Sequence, residues 1–194
     1  MNVLDTLTEK EFLLLEERHH QKGETIAYEG DISSGVFIVK KGIVEIVSYG
    51  LNGKKIVYNK CKENDVFGNN LLFSSSPYYK GNIEVKEDAI LIYINKDRLI
   101  DLLQTNKDFL KAYLRVQSDF GKELNAKVKL LSLHNAEDRL IFYLEEHQGK
   151  VEYKSIVSLS EELGLERETL SRLVHRLEKE GRVKIQDKHL ILHD

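Results

Sequence analysis

Residues 164–178 read GLERETLSRLVHRLE, and this stretch decides how the last third of the chain is interpreted. Gly164 is typical of a tight turn, and four apolar residues after it form one stripe at helical spacing: Leu170, Leu173, Val174 and Leu177. The polar residues near the helix start lie off that stripe: Arg167, Glu168, Ser171 and Arg172. Arginine can bond a guanine edge at two atoms, and glutamate can accept from a cytosine amino group. The stretch therefore predicts a turn and a helix that suits the major groove of DNA.

Composition is typical of a soluble globular protein of one large or two small domains. The chain has 194 residues, of which 41% are hydrophobic and 31% are charged. No apolar run approaches the roughly 20 residues that span a bilayer, and residues 1–10 carry Asp5 and Glu9 in place of an apolar signal core. Cys61 is the only cysteine, so an internal disulfide or a multi-cysteine metal cluster is excluded. We expect a cytoplasmic protein without a membrane segment.

The overall charge opposes DNA binding, because nucleic-acid domains are usually basic. The chain has a net charge of −3, and residues 134–194 hold ten Lys/Arg and thirteen Asp/Glu, also −3. Any DNA face must therefore come from local clustering. Five basic residues do cluster within sixteen positions: Arg167, Arg172, Arg176, Lys179 and Arg182. The alternative interpretation of this cluster is a solvated helix face with ordinary ion pairs.

Short β-prone runs follow a predicted short helix over residues 1–20. The runs lie between Gly23 and Ile94 and cover residues 25–28, 36–39, 43–47, 55–58, 83–85 and 90–94. Turn-forming pairs separate them, among them Lys41-Gly42, Glu87-Asp88 and Asn52-Gly53. The last pair predicts a hairpin with a type I′ turn. Evenly spaced short strands with turn signals indicate an antiparallel sandwich or barrel.

A long helical period replaces this pattern between Asn95 and Leu133. Apolar residues three or four positions apart form a stripe: Phe109, Tyr113, Val116, Phe120, Leu124, Val128 and Leu131. The stripe predicts a helix of at least five turns. It can pack on the β-domain or pair with a copy of itself, and its width favours both.

A third pattern begins near His134. A helix over 136–147 precedes a short strand at Val151 and Tyr153, and a second helix starts at Ser155 or Ser158. Ser158 and Glu161 match a capping box. After the Gly164 turn, the helix of the opening stretch runs to Lys179, and a hairpin forms around Asp187-Lys188. Helix, turn, helix and hairpin together predict a winged helix-turn-helix.

In this order the elements resemble the Crp/Fnr family of bacterial transcription regulators over nearly the whole chain. The first strands and turns carry the matching segments Lys22-Gly23-Glu24, 28–31 and 36–42, and 64–68 (NDVFG) is similar to the family's Gly-Asp-x-Phe-Gly turn. Residues 167–172 (RETLSR) are close to its recognition-helix signature. The resemblance implies an α+β fold with three parts: a double-stranded β-helix (jelly-roll) sensor at 1–105, a dimerisation helix at 106–133 and a winged helix-turn-helix at 134–194.

The family implies a homodimer that reads a palindromic site in double-stranded DNA. Base edges would be met by Arg167, Glu168, Ser171 and Arg172, and phosphates by Thr169 and Arg176. Dimerisation would use Phe109, Tyr113, Val116, Phe120 and Leu124. RNA polymerase is the expected protein partner. One departure is Glu166, which stands where the family has a small polar residue and is a poorer helix cap than serine.

The effector pocket implied by the resemblance comprises Phe67, Gly68, Asn69, Asn70, Tyr79 and Lys80. Cyclic-nucleotide members place a glutamate after the Phe-Gly turn and an arginine further along, but this chain has Asn69, Asn70 and residues 78–82 (YYKGN) there. Lys80 offers a phosphate a point charge and not a bidentate fork. We therefore expect an effector other than cyclic AMP, and its identity and any cofactor stay open.

Metal-dependent and enzymatic alternatives find little support. An iron–sulfur cluster needs four cysteines, and haem ligation by His19 or His20 competes with simple solvation of adjacent polar histidines. A cupin-type enzyme needs histidines on its strands, but residues 23–94 contain none. We expect no enzyme activity and no metal site. The remaining alternative is a ligand-binding regulatory module that acts through protein partners.

Overall fold

Two long antiparallel strands organise the N-terminal half of the chain: β3 (Gly35–Tyr49) and β6 (Asn82–Asn95). The structure is a computed structural model, and it describes residues 2–193. Four shorter strands complete the sheet: β1 (Glu16–His20), β2 (Thr25–Ala27), β4 (Lys55–Cys61) and β5 (Val66–Phe67). The order is β1-β6-β3-β4, with β2 also paired to β6 and β5 to β3, and every pair is antiparallel.

The prediction of a helix over residues 1–20 is correct only in part. A 3-10 turn covers Leu4–Thr6 and α1 covers Glu9–Phe12, but residues 16–20 form β1. Their backbone pairs with β6, with Glu16 opposite Tyr93 and His20 opposite Ala89. This long-range pairing overrides a local pattern that resembled a helix.

The turn signals at Lys41-Gly42 and Glu87-Asp88 were predicted to end strands, and that prediction is wrong. Both pairs lie inside β3 and β6, where the register shifts and the strands bend as bulges do. Gly42 has a φ of 89°, and a Cβ there would lie 2.2 Å from the Asp88 carbonyl oxygen. The four predicted strands are therefore two continuous strands, each bent where it lies beside the bend of the other.

The hairpin predicted at Asn52-Gly53 joins β3 to β4, but its turn differs from type I′. Within the described residues, Gly53 has a φ of 74° and Asn52 is not among the positive-φ positions. The Gly53 N–H donates to the Gly50 carbonyl at 2.8 Å, and the Gly50 N–H donates to the Lys54 carbonyl at 2.9 Å. A longer loop with one left-handed glycine thus replaces the two-residue turn.

The long helix predicted from the apolar stripe is confirmed as α3 (Lys107–Ser132), with 26 residues. A shorter helix, α2 (Lys96–Thr105), precedes it. Asn106 separates the two, and its side-chain oxygen accepts from the Phe109 N–H at 2.9 Å. The first compact unit, Met1–Asp119, ends inside α3. Its core includes Val36, Ile38, Leu99 and Phe109, all at most 1% exposed.

The second compact unit, Phe120–Asp194, contains the remaining elements. They are α4 (Ala136–Glu146), β7 (Lys150–Glu152), α5 (Ile156–Leu163), α6 (Arg167–Lys179), β8 (Val183–Gln186) and β9 (His189–Leu192). The three strands form an antiparallel sheet in the order β7-β9-β8. Ser155 caps α5 in a reciprocal box with Ser158, so the predicted Ser158–Glu161 box is wrong. The α+β class, with an antiparallel β-domain and a C-terminal winged helix-turn-helix, is confirmed.

Replacing Gly42 with alanine is expected to destabilise the first unit by more than about 3 kcal/mol, because left-handed strain adds to a clash with β6 backbone. Gly53 is the matched control. It has a similar φ but open space around its missing Cβ, so Gly53→Ala should cost only about 1–2 kcal/mol. Urea unfolding of both variants measures the difference. Equal losses would show that the approach of Asp88 to Gly42 does not matter.

Candidate nucleic-acid interface and sensor site

Helix α6 is held by one face and presents the other to solvent. Leu170, Leu173, Val174 and Leu177 are all buried at 7% exposure or less, in a cluster with residues of α4, α5, β8 and β9. Gly164 ends α5 with a φ of 62°, and the Leu165 N–H returns to the Ser160 carbonyl at 2.9 Å. These contacts fix the rotation of α6 about its axis.

The polar residues predicted to meet DNA lie exposed on the opposite side of α6. Arg167, Glu168, Thr169, Ser171, Arg172 and Arg176 are all exposed. His175 and Lys179 are exposed as well, and helical spacing places them on the same side as Arg172. Sequence reasoning did not single out His175, although its distance of three positions from Arg172 was visible.

Glu168 and Arg172 do not form the surface ion pair that was the alternative interpretation of this helix. The Arg172 Nε donates to the backbone carbonyl of Glu168 at 3.2 Å. No ion pair joins the two side-chain charges within residues 2–193. The Glu168 carboxylate thus remains available as an acceptor, and part of the Arg172 fork remains available as a donor.

The start of α6 lacks a side-chain cap. Glu166 occupies the N-cap position in extended conformation and makes no capping hydrogen bond. By contrast, Asn135 and Ser155 cap α4 and α5 through their side chains. The first N–H groups of α6 therefore receive no cap from the Glu166 side chain, and uncapped N–H groups at a helix start favour an anion.

Arg176, predicted to contact a phosphate, is already paired. Its Nη2 lies 2.5 Å from Oε2 of Glu137, in the first turn of α4. The other oxygen of Glu137 accepts from Arg182, which follows α6. These hydrogen bonds, chiefly that from Arg182, lower the pKa of Glu137. Sequence reasoning missed Glu137 because it is 39 positions from Arg176.

The wing is a hairpin of β8 and β9 with a two-residue turn. Asp187 and Lys188 have φ values of 48° and 60°, as a type I′ turn requires. Lys184 and Lys188 are exposed on this hairpin. The wing thus places two cations in the same unit as α6.

The apolar stripe of α3 changes character along its length. Phe109 and Tyr113 are 0% and 5% exposed within the core of the first unit, and Val116 and Phe120 are half-buried. Further along, the exposed fractions are 52% for Leu124, 61% for Val128 and 47% for Leu131. The first two predicted dimerisation residues are thus occupied within their own chain, and this corrects the expected face at its N-terminal end.

The residues predicted to form an effector pocket are mostly structural. Phe67 stacks on Phe37 with ring centroids 5.0 Å apart, and Tyr79 is buried, which raises its pKa. Gly68 is buried with a φ of 80°. Asn70 and Lys80 are exposed on the surface.

Asn69 is buried and bonded to α3. Its Nδ2 donates to Gln117 Oε1 at 3.2 Å, and Gln117 Nε2 donates to the Asn69 carbonyl at 3.3 Å. Gln117 Nε2 also donates to the Tyr113 hydroxyl at 3.1 Å. The position after the Phe-Gly turn therefore carries a neutral amide whose polar atoms are used within the protein.

A cavity of about 580 Å³ lies in the first unit, away from most of these residues. Arg18, Asp31, Phe37 and Tyr79 are among its lining residues, and Tyr79 alone belongs to the predicted pocket. The Arg18 guanidinium lies 3.7 Å from the ring centroid of Tyr93 and pairs with a neighbouring glutamate on β1. Sequence reasoning missed Arg18 because it assigned that segment to a helix.

The single cysteine is inert in this environment. Cys61 is 1% exposed, and burial raises the pKa of its thiol to about 12. A protonated thiol is a poor nucleophile and a poor metal ligand. Within residues 2–193 no group of three or more His, Cys, Asp or Glu side chains is arranged to hold a metal ion. None of the described helices combines the length and apolarity needed to cross a membrane.

Several known proteins are similar to this chain in sequence. Residues 17–106 match the family model described as a cyclic nucleotide-binding domain. The Anaerobic regulatory protein of Bacillus subtilis is 25% identical over 150 residues, which cover 77% of this chain and 58% of that protein. The Cyclic AMP receptor protein of Thermus thermophilus is 25% identical over 177 residues, covering 87% and 79%. The chain is thus similar to regulators of the Crp/Fnr type.

The fold of this chain recurs among solved structures. A mutant of CooA from Carboxydothermus hydrogenoformans has a TM-score of 0.71 at 20% identity, covering 100% of this chain and 92% of that one. This likeness shows the fold, and the named relatives confirm the resemblance drawn from the sequence. The comparisons do not address individual DNA-contacting or pocket residues, which stay predictions.

Titration of Cys61 is expected to appear in the pH dependence of stability. The thiol ionises near pH 9.0 in its ordinary state but near 12 when folded, so the unfolded chain loses its proton first. The contribution of the buried thiol to the free energy of unfolding is complete below about pH 9 and is lost as the pH rises towards 12. The difference in unfolding free energy between wild type and Cys61→Ala should therefore shrink above pH 9. A constant difference would mean that the buried thiol keeps an ordinary pKa.

Proposed function

We propose that this protein is a sequence-specific DNA-binding transcription regulator that binds a palindromic operator as a homodimer. The observation that carries the proposal is the exposed polar face of α6, fixed in orientation by its buried stripe. The relatives are named as regulatory or receptor proteins, so the proposal assigns no catalytic activity. We propose that residues 1–105 form the domain that senses an effector, that residues 106–133 mediate dimerisation and that residues 134–194 bind DNA.

Base edges are the proposed targets of Arg167, Glu168, Ser171 and Arg172. Arg172 keeps donors that can reach a guanine edge at two atoms, because only its Nε is used by the Glu168 carbonyl. The Glu168 carboxylate is an acceptor suited to a cytosine amino group and would be repelled by phosphates. The pair therefore forms a sequence-reading unit at the exposed start of the helix.

Phosphates are the proposed targets of Thr169, Arg176 and the uncapped N–H groups at the start of α6. Thr169 and Arg176 are both exposed and lie on the flank of the helix, seven positions apart. Backbone N–H groups at a helix start favour an anion without reading sequence. These contacts would set the register of α6 in the groove.

The proposed dimer face is the C-terminal half of the α3 stripe, together with Val116 and Phe120. Leu124, Val128 and Leu131 are about half-exposed on one side of the helix, and the other exposed residues of this part are polar. An exposed apolar row on a long helix suits a second copy of the same row. A two-fold pair would place two α6 helices for half-sites about 34 Å apart.

The proposed effector is a small molecule other than cyclic AMP. The two sites at which the cyclic-nucleotide members hold ribose and phosphate carry Asn69, Asn70 and the segment around Tyr79 and Lys80. Asn69 is bonded to Gln117, and Tyr79 is buried in the core. RNA polymerase is the proposed protein partner by analogy with the family alone.

Arg172→Ala is expected to weaken binding to the cognate duplex by about 10- to 100-fold per half-site, because one bidentate base contact is lost. The cognate sequence is first selected from random DNA, and affinity is then measured by fluorescence anisotropy. Arg115→Ala, another exposed arginine on α3, serves as a control and should bind as wild type does. Unchanged affinity of Arg172→Ala for the selected site would contradict the assignment of α6.

Leu124→Glu combined with Val128→Glu is expected to yield monomers, because two carboxylates would be buried in the proposed interface. Lys122→Glu is the matched control. It changes the net charge by the same amount on the opposite side of α3. Sedimentation velocity reports the oligomeric state of all three proteins. A dimer that persists in the double variant would reject this face.

A further inference from the structure

We propose that Glu137 competes with DNA phosphate for Arg176 and Arg182, and thereby limits the sequence-independent part of DNA binding. The inference rests on the proposed function of α6 as the DNA-reading helix. It assigns a role to an acidic residue that lies outside α6 and that the sequence pattern did not reveal.

The geometry places one carboxylate between two guanidinium groups. Oε2 of Glu137 lies 2.5 Å from Nη2 of Arg176, and its Oε1 accepts from Nη1 of Arg182. The two arginines come from different segments, one within α6 and one just after it. Both oxygens of the carboxylate are thus used, each by a different cation.

The accessibility of the three groups favours exchange. The side chains of Arg176 and Arg182 are 56% and 47% exposed, but that of Glu137 is only 22% exposed. Solvent, and hence an incoming phosphate, reaches the cations more readily than the carboxylate. A phosphate offers guanidinium the same pair of oxygens that a carboxylate does. Exposed pairs of this kind are weak, so a DNA backbone can displace the carboxylate.

After the exchange, Glu137 is still ionised and lies close to the phosphate bound by Arg176 and Arg182. The arginines lower the pKa of Glu137 before the exchange, and the ordinary pKa of 4.5 keeps it ionised at neutral pH afterwards. Its negative charge would then lie near the phosphate that replaced it. Like charges at short range oppose binding. Glu137 therefore weakens phosphate contacts in two ways, by occupying the arginines and by repelling the anion.

The distribution of charge around α6 supports the proposed competition between Glu137 and phosphate. Arg176 and Arg182 are two of five basic residues in the cluster on and after α6. Within the described residues, no ion pair engages the other three: Arg167, Arg172 and Lys179. Glu137 thus neutralises part of the cluster and leaves the base-reading arginines untouched. If the ion pairs of Glu137 only held α6 in place, their loss would loosen α6 and weaken DNA binding. This is the opposite of the result expected from competition.

Glu137→Gln tests the inference, because it keeps the shape of the side chain and removes its charge. Asp138→Asn is the matched control: it makes the same charge change in the same turn of α4, at an exposed residue that forms no ion pair within residues 2–193. The affinities for the selected operator and for a random duplex of equal length are measured by fluorescence anisotropy. Glu137→Gln should tighten both by about tenfold, and Asp138→Asn by less than about threefold.

A second variant separates release of the arginines from loss of charge. Glu137→Asp keeps the carboxylate but shortens its reach, so the arginines should be released in part and both affinities should rise. An electrostatic effect of net charge alone predicts no change for this variant. Thermal unfolding of each protein reports whether the fold is intact.

Equal gains for Glu137→Gln and Asp138→Asn, or weaker binding by Glu137→Gln, would overturn the inference. Elution from heparin provides a readout that needs no operator. There, Glu137→Gln should require more salt than Asp138→Asn, because Arg176 is then free to meet a polyanion and Arg182 keeps only its longer pair with Glu180, at 3.7 Å. If the wild type selects no duplex sequence, the proposed function fails. The heparin result then still decides whether Glu137 holds the two arginines away from anions.

Discussion

The burial of one side of α6 is the constraint on which the proposed DNA-binding site depends. Leu170 and Leu177 are fully buried, and Leu173 and Val174 nearly so. Each such side chain contributes about 1.5–3 kcal/mol relative to exposure. The helix start has no side-chain cap, so packing and the Gly164 turn hold it in place. Rotation of α6 by one residue would bury a charge, and the polar residues are therefore fixed on the outer side.

In the first unit, the residues that shape the fold differ from those at the expected pocket. The strands, the Phe-Gly turn and the bulge at Gly42 give a fold that matches the cyclic nucleotide-binding domain over residues 17–106. In the expected pocket, Asn69 instead joins Gln117 and Tyr113 of α3 in a neutral hydrogen-bond network. A fold can persist while its site changes. The family model therefore identifies the architecture, whereas any ligand of this unit would be selected by its side chains.

Periodicity predicted the elements whose structure is decided locally. The α3 stripe and the helix after Gly164 follow from spacing, and the Asp187-Lys188 hairpin follows from turn chemistry. Two of the failures, at β1 and at Gly42, share one cause. Strand β1 forms only because β6 lies beside it, and the bulge at Gly42 requires Asp88 from a distant strand. Contacts of high sequence separation leave no periodic signal.

The same limit applies to the candidate site. The outer residues of α6 could be chosen from sequence because the stripe defines the inner side. The burial of Phe109 and Tyr113 within their own unit could not be predicted from sequence, because an apolar stripe does not show which partner covers each part of it. The pairing of Arg176 with Glu137 was hidden for the same reason, because it joins α4 to α6 across 39 positions.

The acidic balance of the second unit takes a different meaning once the ion pairs are known. A net charge of −3 over residues 134–194 argues against DNA binding only if the charges are mixed evenly. At α6 they are not: Arg167 and Arg172 lie outward, and Glu137 draws Arg176 and Arg182 towards α4. In the proposed complex, phosphate contacts of these two arginines would thereby be weakened, while the groups proposed to discriminate between bases remain available. Because sequence-independent binding comes almost wholly from phosphate contacts, such an arrangement shifts the balance of binding towards base readout.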